Sequence, residues 1–544
     1  MVGPAAPLDS FAADNLPPRE DWPDFLFDLP ALRYPDRLNC AAELLDRAVA
    51  EGGGDRVCLI TPDISWSYAE LQRQANRIAR VLTEELGLVT GNRVLLRGAN
   101  NPMMVACWFA VAKAGGIAVP TMPLLRAGEL AYILNKARIG LALCDVRLAD
   151  ELAAAARQAP TLSRTVLFST DARDGLEALA AGRPDEFTTV DTAAEDICLI
   201  AFTSGTTGQA KGTMHNHRDI VAICDCFPPH VLKPRADDVF CGSPPIAFTF
   251  GLGGLVTFPM RVGAAALLLE KAPPEALLEA IQAHRATICF TAPTAFRAML
   301  DHVDRYDISS LRRCVSAGET LPKPTWEAFK ARTGLSIIDG IGATELLHIF
   351  ISAADDDIRP GATGKPVPGY QARIVDEEDN PLPPGKVGRL AVRGPTGCRY
   401  LADDRQRDYV HDGWNLTGDA YLVDEDGYFW YQARTDDMII SSGYNIAGPE
   451  VEAALMAHEA VKECAVVGSP DPERGMIVKA FVIPREPTTA DDALAKTLQD
   501  FVKQRIAPYK YPRAIAFVES LPRTETGKVQ RFKLRMQELE RRGG

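Results

Sequence analysis

The chain has 544 residues, too many for one hydrophobic core, and its 47% hydrophobic and 24% charged residues are ordinary for a folded globular protein. A net charge of −13 argues against a nucleic-acid partner, so a phosphate site has to be a local feature working against the global field. Residues 1–20 lack a basic start and an apolar stretch, and no uncharged apolar run nears the ~18 residues of a membrane span. The expectation is therefore a cytoplasmic protein with no membrane partner. Twelve cysteines are scattered singly, the closest pair being Cys224 and Cys226, and eight histidines form no paired ligand motif. Neither a zinc site nor a disulfide framework is expected, and the cysteines read as small core residues.

From residue 56 to 350 short apolar runs alternate with amphipathic stretches. Ser67 and Glu70 form a capping box, and Leu71, Ala75, Ile78 and Leu82 then fall on one helical face before Gly87 ends the helix. Residues 94–96, 117–119, 141–144, 166–168, 197–202, 264–269, 287–290 and 337–339 read as buried strands. Strands interleaved with helices predict parallel sheets covered on both faces, with ligands beyond the strands' carboxyl ends.

The 197–202 run leads straight into Thr203-Ser204-Gly205-Thr206-Thr207-Gly208-Gln209-Ala210-Lys211-Gly212. Glycines turn backbone N–H groups toward an anion, hydroxyls donate further hydrogen bonds, and Lys211 adds charge. A polyphosphate needs that combination. A Walker loop would require G-x-x-x-x-G-K-[ST], which this segment lacks, so it is a phosphate loop of another kind.

Beyond Pro360 the texture changes. Residues 361–430 hold a Pro/Gly-rich turn at 381–385 and short runs at 372–375 and 389–392, which predict a small antiparallel β unit. Residues 436–544 form a second α/β region, with strands at 464–467 and 478–483 and a helix presenting Leu494, Leu498, Phe501 and Val502. That stretch is large enough to fold by itself.

Further motifs follow in fixed order: Ser316-Ala317-Gly318-Glu319 and Asp339-Gly340-Ile341-Gly342-Ala343-Thr344-Glu345, each placed after a strand, then Thr417-Gly418-Asp419, placed on a turn. Arg434-Thr435-Asp436-Asp437, Ser441-Ser442-Gly443-Tyr444-Asn445, the pair Pro449 and Glu452, and Pro522-Arg523-Thr524 with Gly527-Lys528 complete the set. The ordered set, spanning about residues 35–535, resembles the adenylate-forming superfamily of acyl- and aryl-CoA synthetases, adenylation domains and luciferases.

The resemblance implies an α/β fold: a large N-terminal domain, residues 1–435, with two parallel-sheet α/β subdomains and a small β-barrel subdomain, then a small mobile α+β C-terminal domain, residues 436–544. It implies that ATP is held by Thr203, Ser204, Gly205, Thr206, Thr207, Gly208 and Lys211, and that Gly318, Glu319, Asp339, Gly340, Ile341 and Gly342 wall the adenine and acyl groups. Thr344 meets the α-phosphate, Glu345 binds Mg²⁺ through hard oxygen ligands, and Asp419 and Arg434 serve the ribose hydroxyls. Lys528 is the implied catalytic lysine: it bridges two negative groups as charge builds on the pentavalent phosphorus. Asp436 matches the hinge, and Gly443 with Tyr444 the coenzyme A tunnel.

Ala433 stands where glycine is usual in the superfamily, Ile440 where lysine is common, and Ile341 where an aromatic residue is usual. With Leu347 to Phe350, Ile341 makes the chain similar to benzoate-type aryl-CoA ligases. The acyl pocket is then Phe248, Thr249, Phe250, Gly342 and His348, the phenylalanines offering flat apolar faces to a ring. Residues 245–254 look like those of 2-aminobenzoate–CoA ligases, with the Thr249 hydroxyl placed to bond an ortho substituent. The implied reaction joins an aryl acid to coenzyme A through an acyl-adenylate, releasing pyrophosphate and AMP. The rivals are a free-standing adenylation enzyme serving a carrier protein and a non-catalytic nucleotide sensor. Monomer and homodimer stay open.

Overall fold

A computed structural model of the chain describes residues 7–203, 210–441, 444–471, 475–486, 490–506, 510–523 and 528–543, with backbone alone at Asp436, Ile440, Tyr444, Asn445 and the last turn of the C-terminal helix. The first sheet runs in the order Arg164–Phe168, Leu141–Asp145, Arg93–Arg97, Ile117–Thr121, Ile197–Phe202, Gly212–Asn216. Of its four inner strands, Leu141–Asp145, Arg93–Arg97 and Ile117–Thr121 are buried at every position, as their largely apolar runs require when helices cover both faces. Five strands are parallel. The sixth departs from the all-parallel expectation: Gly212–Asn216 doubles back against Ile197–Phe202, with Phe202 opposite Gly212. The reason is length. Nine residues cannot hold a crossover helix, so the glycine-rich segment joins antiparallel neighbours.

The capping box forms as read. Ser67 Oγ accepts the Glu70 N–H at 3.2 Å and Glu70 Oε2 accepts the Ser67 N–H at 2.6 Å, starting the helix Tyr68–Arg80; such a cap stabilises by about 1 kcal/mol. Leu71, Ala75 and Ile78 are buried toward the helix Pro102–Lys113, while Leu82 sits one step on, in the wider turn Val81–Glu85.

The second sheet has nine strands, ordered Lys365–Pro366, Ile349–Ser352, Ile337–Gly342, Arg313–Ala317, Ile288–Thr291, Val239–Gly242, Ala265–Leu267, Val57–Ile60, Ser65–Ser67. Its centre is parallel and both margins are antiparallel. The strand Ile337–Gly342 runs three residues past the 337–339 run read from the sequence, so Gly340, Ile341 and Gly342 lie within it. One continuous core, including Leu96, Phe109, Leu199, Phe240, Phe290 and Phe350, joins the two sheets.

Gln371–Val375, Gly388–Arg393, Trp414–Val423, Phe429–Arg434 and Val410–His411 make a curled antiparallel sheet, open like a half-barrel rather than closed. The small C-terminal domain follows. Met438–Ser441, Tyr444–Ala447, Val461–Asp471, Gly475–Pro484 and Ala514–Phe517 form its sheet, with helices Gly448–Met456, Asp492–Arg505 and Arg531–Gly543. Leu498 and Val502 enter its core beside Val451, Leu455 and Val478, whereas Phe501 packs edge-on against His458. Among the described residues no helix is long and apolar enough to cross a membrane.

Candidate active site

The mouth of the 203–212 segment is tied shut by the Thr203 N–H donating to the Lys211 carbonyl at 3.0 Å. Ser204, Gly205, Thr206, Thr207 and Gly208 lie outside the described residues. Lys211 projects from this mouth. Its Nζ stands 3.8 Å from Glu345 Oε1 and 4.6 Å from the centroid of the Tyr400 ring. Glu345 is buried, and its Oε1 also accepts the Tyr400 hydroxyl, so it is not a solvated loop acid. Burial, foremost, and the adjacent Glu345 charge push the Tyr400 phenol far above its ordinary pKa, which keeps it a donor. A buried carboxylate facing a lysine fits a hard divalent cation and the phosphate it would accompany.

Glu345 sits in the short turn Thr344–Leu346, which ends in an unusual backbone. Leu347 has φ 70° and ψ −34°, and the His348 N–H donates to the Leu346 carbonyl at 2.9 Å. That is a γ-turn of the rarer hand at a branched residue, a conformation costing on the order of 1–3 kcal/mol. The turn delivers Glu345 to one side and His348 to the other.

Asp419 was placed on a turn by its sequence; it lies instead within the strand Trp414–Val423. Leu416 pairs with Ala391 and Ala420 with Arg389, so Thr417, Gly418 and Asp419 stand against the single residue Leu390. This bulge re-aims the carboxylate. Gly418 has φ 74°, and a Cβ there would lie 2.6 Å from Arg434 Nη2, so a side chain would strain the backbone and displace the guanidinium. Arg434, directly opposite on the next strand, donates from Nη1 to Asp419 Oδ1 and to the Thr417 carbonyl, both at 3.0 Å. Burial raises the Asp419 carboxyl above its usual value, against the pull of Arg434 and Thr417.

Lys528 reaches this same place from the C-terminal domain. Its Cε and Nζ lie 3.7 and 3.8 Å from where a Cβ on Gly318 would stand. The residue is solvent-exposed, yet the cleft walls crowd it. That crowding lowers its ammonium pKa, Glu319 and Asp419 pull it back up, and Arg434 lowers it further. Asp339 is close at hand: burial pushes its carboxyl up to about 7, against Ser316 and the Gly340 N–H, and its Oδ1 has no hydrogen-bond partner among the described residues. Gly340 is buried, Ile341 half-buried and Gly342 exposed along the same strand.

Two of the predicted acyl residues, Phe250 and His348, lie together in an aromatic nest. His348 is 2% exposed, and Phe258, Phe250, Phe227 and Phe290 surround its ring at centroid distances of 4.4, 5.7, 5.7 and 6.5 Å. Neither ring nitrogen has a hydrogen-bond partner among the described residues, and burial lowers its pKa to about 3, against the nearby Phe250 backbone. A neutral imidazole with unengaged polar atoms in an apolar wall is suited to meeting a ligand. A Cβ on Gly342 would approach the His348 carbonyl to 2.8 Å, so the strand and the turn touch there backbone to backbone. Phe248 and Thr249 are half-buried at the start of the short helix Thr249–Leu252.

Sequence reasoning missed Tyr400 and Asn100. Asn100 accepts the Ile246 N–H at 2.8 Å and donates to the Pro244 carbonyl at 2.9 Å, pinning the loop that carries Phe248. Neither residue belongs to a contiguous motif, so no local signal marked it. Gly443 and the side chains of Asp436 and Tyr444 lie outside the described residues. All twelve cysteines are free and buried, as expected of core residues. Contrary to the absence of a ligand pattern in the sequence, Cys40, Cys198 and His217 do cluster, their ligand atoms within 4.8 Å of one another. His217 Nδ1, however, already accepts the Cys40 N–H at 3.1 Å.

The family model for the AMP-binding enzyme matches residues 45–400, and that for the AMP-binding enzyme C-terminal domain matches residues 450–528. Benzoate–CoA ligase of Thauera aromatica is 36% identical over 512 residues, 93% of this chain and 97% of that protein. Among solved structures, an anthranilate CoA ligase in complex with anthranoyl-AMP superposes with a TM-score of 0.89 at 35% identity, covering 94% of this chain and 99% of that one. A benzoate CoA ligase from Burkholderia xenovorans LB400 gives 0.84 at 32% identity, covering 92% of this chain and 100% of that one.

Proposed function

The chain belongs to the AMP-binding enzyme family as an AMP-forming acid–CoA ligase, and we propose that its acid is an aryl carboxylate of the benzoate type, with 2-aminobenzoate preferred over benzoate. One observation carries this reading. The turn Thr344–Leu346 places Glu345 against Lys211 and, three residues after Glu345, sets His348 among four phenylalanines. On this reading one short turn links the charged side that serves a triphosphate to the apolar wall that serves a ring. The likeness to an anthranilate ligase supports the amino-substituted acid, anthranilate being 2-aminobenzoate.

In the first step a carboxylate oxygen attacks the α-phosphorus, and the bond to the bridging oxygen of pyrophosphate breaks. Lys211 and the segment before it hold the β- and γ-phosphates. Thr344 meets the α-phosphate. Asp419, re-aimed by its bulge, accepts from the ribose hydroxyls, and Arg434 opposes the upward push of burial on its carboxyl. Asp339, whose Oδ1 has no hydrogen-bond partner among the described residues, walls the adenine and acyl groups together with Gly318, Glu319, Gly340, Ile341 and Gly342. Glu345 is the residue that would hold Mg²⁺, which when bound supplies charge to the phosphate oxygens. Lys528 sits between the incoming carboxylate and the phosphorus, where its charge counts most as the pentavalent state forms. In the second step the thiol sulfur of coenzyme A attacks the carbonyl carbon and AMP leaves. We divide the chain at residue 435, with Asp436 as hinge and Gly443 and Tyr444 lining the thiol's approach. The C-terminal domain then moves between the two steps. Twelve buried thiols suit a reducing, cytoplasmic setting.

The test is a panel of aryl acids assayed for AMP formation with ATP, magnesium and coenzyme A. Efficient turnover of 2-aminobenzoate and benzoate is the expected result. Turnover of aliphatic acids alone would overturn the aryl assignment. Transfer to a carrier protein but not to coenzyme A would turn the enzyme into a free-standing adenylation enzyme, and no pyrophosphate release with any acid would leave a sensor.

A further inference from the structure

Three consecutive residues of the turn that bears Glu345 are each gripped at one oxygen by a side chain from far away in the sequence. His215 donates from Nε2 to the Thr344 carbonyl at 2.8 Å. The Tyr400 hydroxyl donates to the Glu345 carboxylate. Thr396 donates from Oγ1 to the Leu346 carbonyl at 2.7 Å, with its own hydroxyl 2.8 Å from that of Tyr370. All three gripping side chains are buried, His215, Thr396 and Tyr400 each at 0% exposure.

The grips share one frame. His215 lies on the strand Gly212–Asn216, and residues 399–401 run alongside that strand, the Met214 N–H donating to the Arg399 carbonyl and the Leu401 N–H to the Gly212 carbonyl, both at 2.8 Å. Behind them Asp219 binds Arg399, with His215 Nδ1 3.6 Å from Asp219 Oδ2. Burial pushes the Asp219 carboxyl up, but Arg399 foremost, then His215 and Arg218, holds it below its ordinary value. The frame is therefore a fixed, charged, buried scaffold attached to the same strand that closes the phosphate segment.

The turn's own hydrogen bonds, from the N–H groups of Leu346, Leu347 and His348 to the carbonyls of Ala343, Thr344 and Leu346, work against the left-handed φ of 70° at Leu347, which a branched side chain avoids, so a frame from outside has strain to offset. We propose that His215, Thr396 and Tyr400 are positioning residues that hold the Thr344–Leu347 turn in its strained form, so that Glu345 and His348 keep a fixed spacing between the nucleotide and acyl sides. The proposal rests on the ligase reading. It assigns these three side chains no contact with substrate. Their effect is on the rate and on the use of magnesium, since partners behind a ligating carboxylate typically affect metal affinity or activity by about 10–100-fold.

The experiment compares full-length wild type with Tyr400→Phe, Thr396→Val, His215→Ala and His215→Gln. Thermal melts are recorded for all. Calorimetry measures binding of a non-hydrolysable α,β-methylene ATP with and without magnesium, and pyrophosphate release gives kcat and KM for 2-aminobenzoate. Tyr400→Phe is expected to reduce the magnesium-dependent gain in nucleotide affinity about tenfold and to lower kcat with little change in the acid's KM. Thr396→Val is expected to lower kcat in the same way. His215→Ala is expected to lower kcat about 10–100-fold and His215→Gln to restore most of it, because an amide N–H can serve the same carbonyl. Wild-type values for both Tyr400→Phe and Thr396→Val would overturn the proposal, as would equal impairment of His215→Ala and His215→Gln. If wild type activates no acid, the ligase reading fails, while the calorimetric comparison still judges the positioning role.

Discussion

Lys528 Nζ stands 3.8 Å from the point where a side chain on Gly318 would begin, so a residue of the last strand–helix junction abuts the end of a strand in the large domain. Gly318 has φ 89° and leaves the room the lysine occupies. On the proposed division of labour, this is the arrangement expected for the first half-reaction. Lys528→Ala is expected to lower pyrophosphate release about 10²–10³-fold, as for loss of one oxyanion donor, while supplied aryl-adenylate and coenzyme A still give thioester. Equal loss of both half-reactions, measured separately, would contradict the division of labour. Gly318→Ala places a Cβ beside Lys528 at a left-handed backbone and should slow the first step more than the second.

Arg434 and Asp419 face each other across two antiparallel strands, 3.0 Å apart. Removing the guanidinium leaves a buried carboxylate without its charge partner, and the Asp419 pKa rises further. Arg434→Gln is therefore expected to raise the KM for ATP about tenfold or more, in line with the worth of a hydrogen bond to a charged group, and to leave the acid's KM nearly unchanged. Asp419→Asn should act in the same direction. A change confined to the acid's KM would place the pair elsewhere.

Asp339 carries a pH signature. Its folded pKa of about 7 lies above the ordinary 3.8, so between these values the folded state binds a proton that the unfolded state has released. Its contribution to stability is full below the unfolded pKa and is lost as pH rises through about 7. Asp339→Asn cannot ionise and is freed from that loss. The variant's melting temperature relative to wild type is expected to be higher at pH 8 than at pH 5 in the absence of nucleotide. A difference independent of pH would exclude Asp339 as the titrating group.

Thr249 offers the proposed discriminating hydroxyl beside the aromatic nest. A net hydrogen bond is worth about 1 kcal/mol, so Thr249→Ala should reduce the kcat/KM preference for 2-aminobenzoate over benzoate about fivefold. An unchanged ratio removes Thr249 from the account of specificity. His348 stays neutral from pH 5 to 9, its pKa being about 3, so it adds no inflection to the pH profile of either substrate.

The sequence by itself determined that buried strands alternate with helices, where eight of those strands lie, and the order of the motifs, because each is a contiguous pattern whose burial or backbone freedom follows from neighbouring residues; the strands Val57–Ile60 and Val239–Gly242 and the strand order within each sheet came only with the structure. Thus the apolar run at 197–202 followed by Gly- and Ser-rich residues marked the phosphate segment, and residues 344–345 marked themselves by company. Tertiary structure alone decided the antiparallel return of the Gly212–Asn216 strand, the bulge that lifts Asp419 out of a regular strand, and the seating of Lys528 on Gly318. It alone also brought His215 to Thr344, 129 residues away, and Tyr400 to Glu345, 55 residues away. A hydrogen bond of that span leaves no periodicity in the chain; it exists only once sheet order has brought the two strands side by side, and burial then makes leaving it unmade costly.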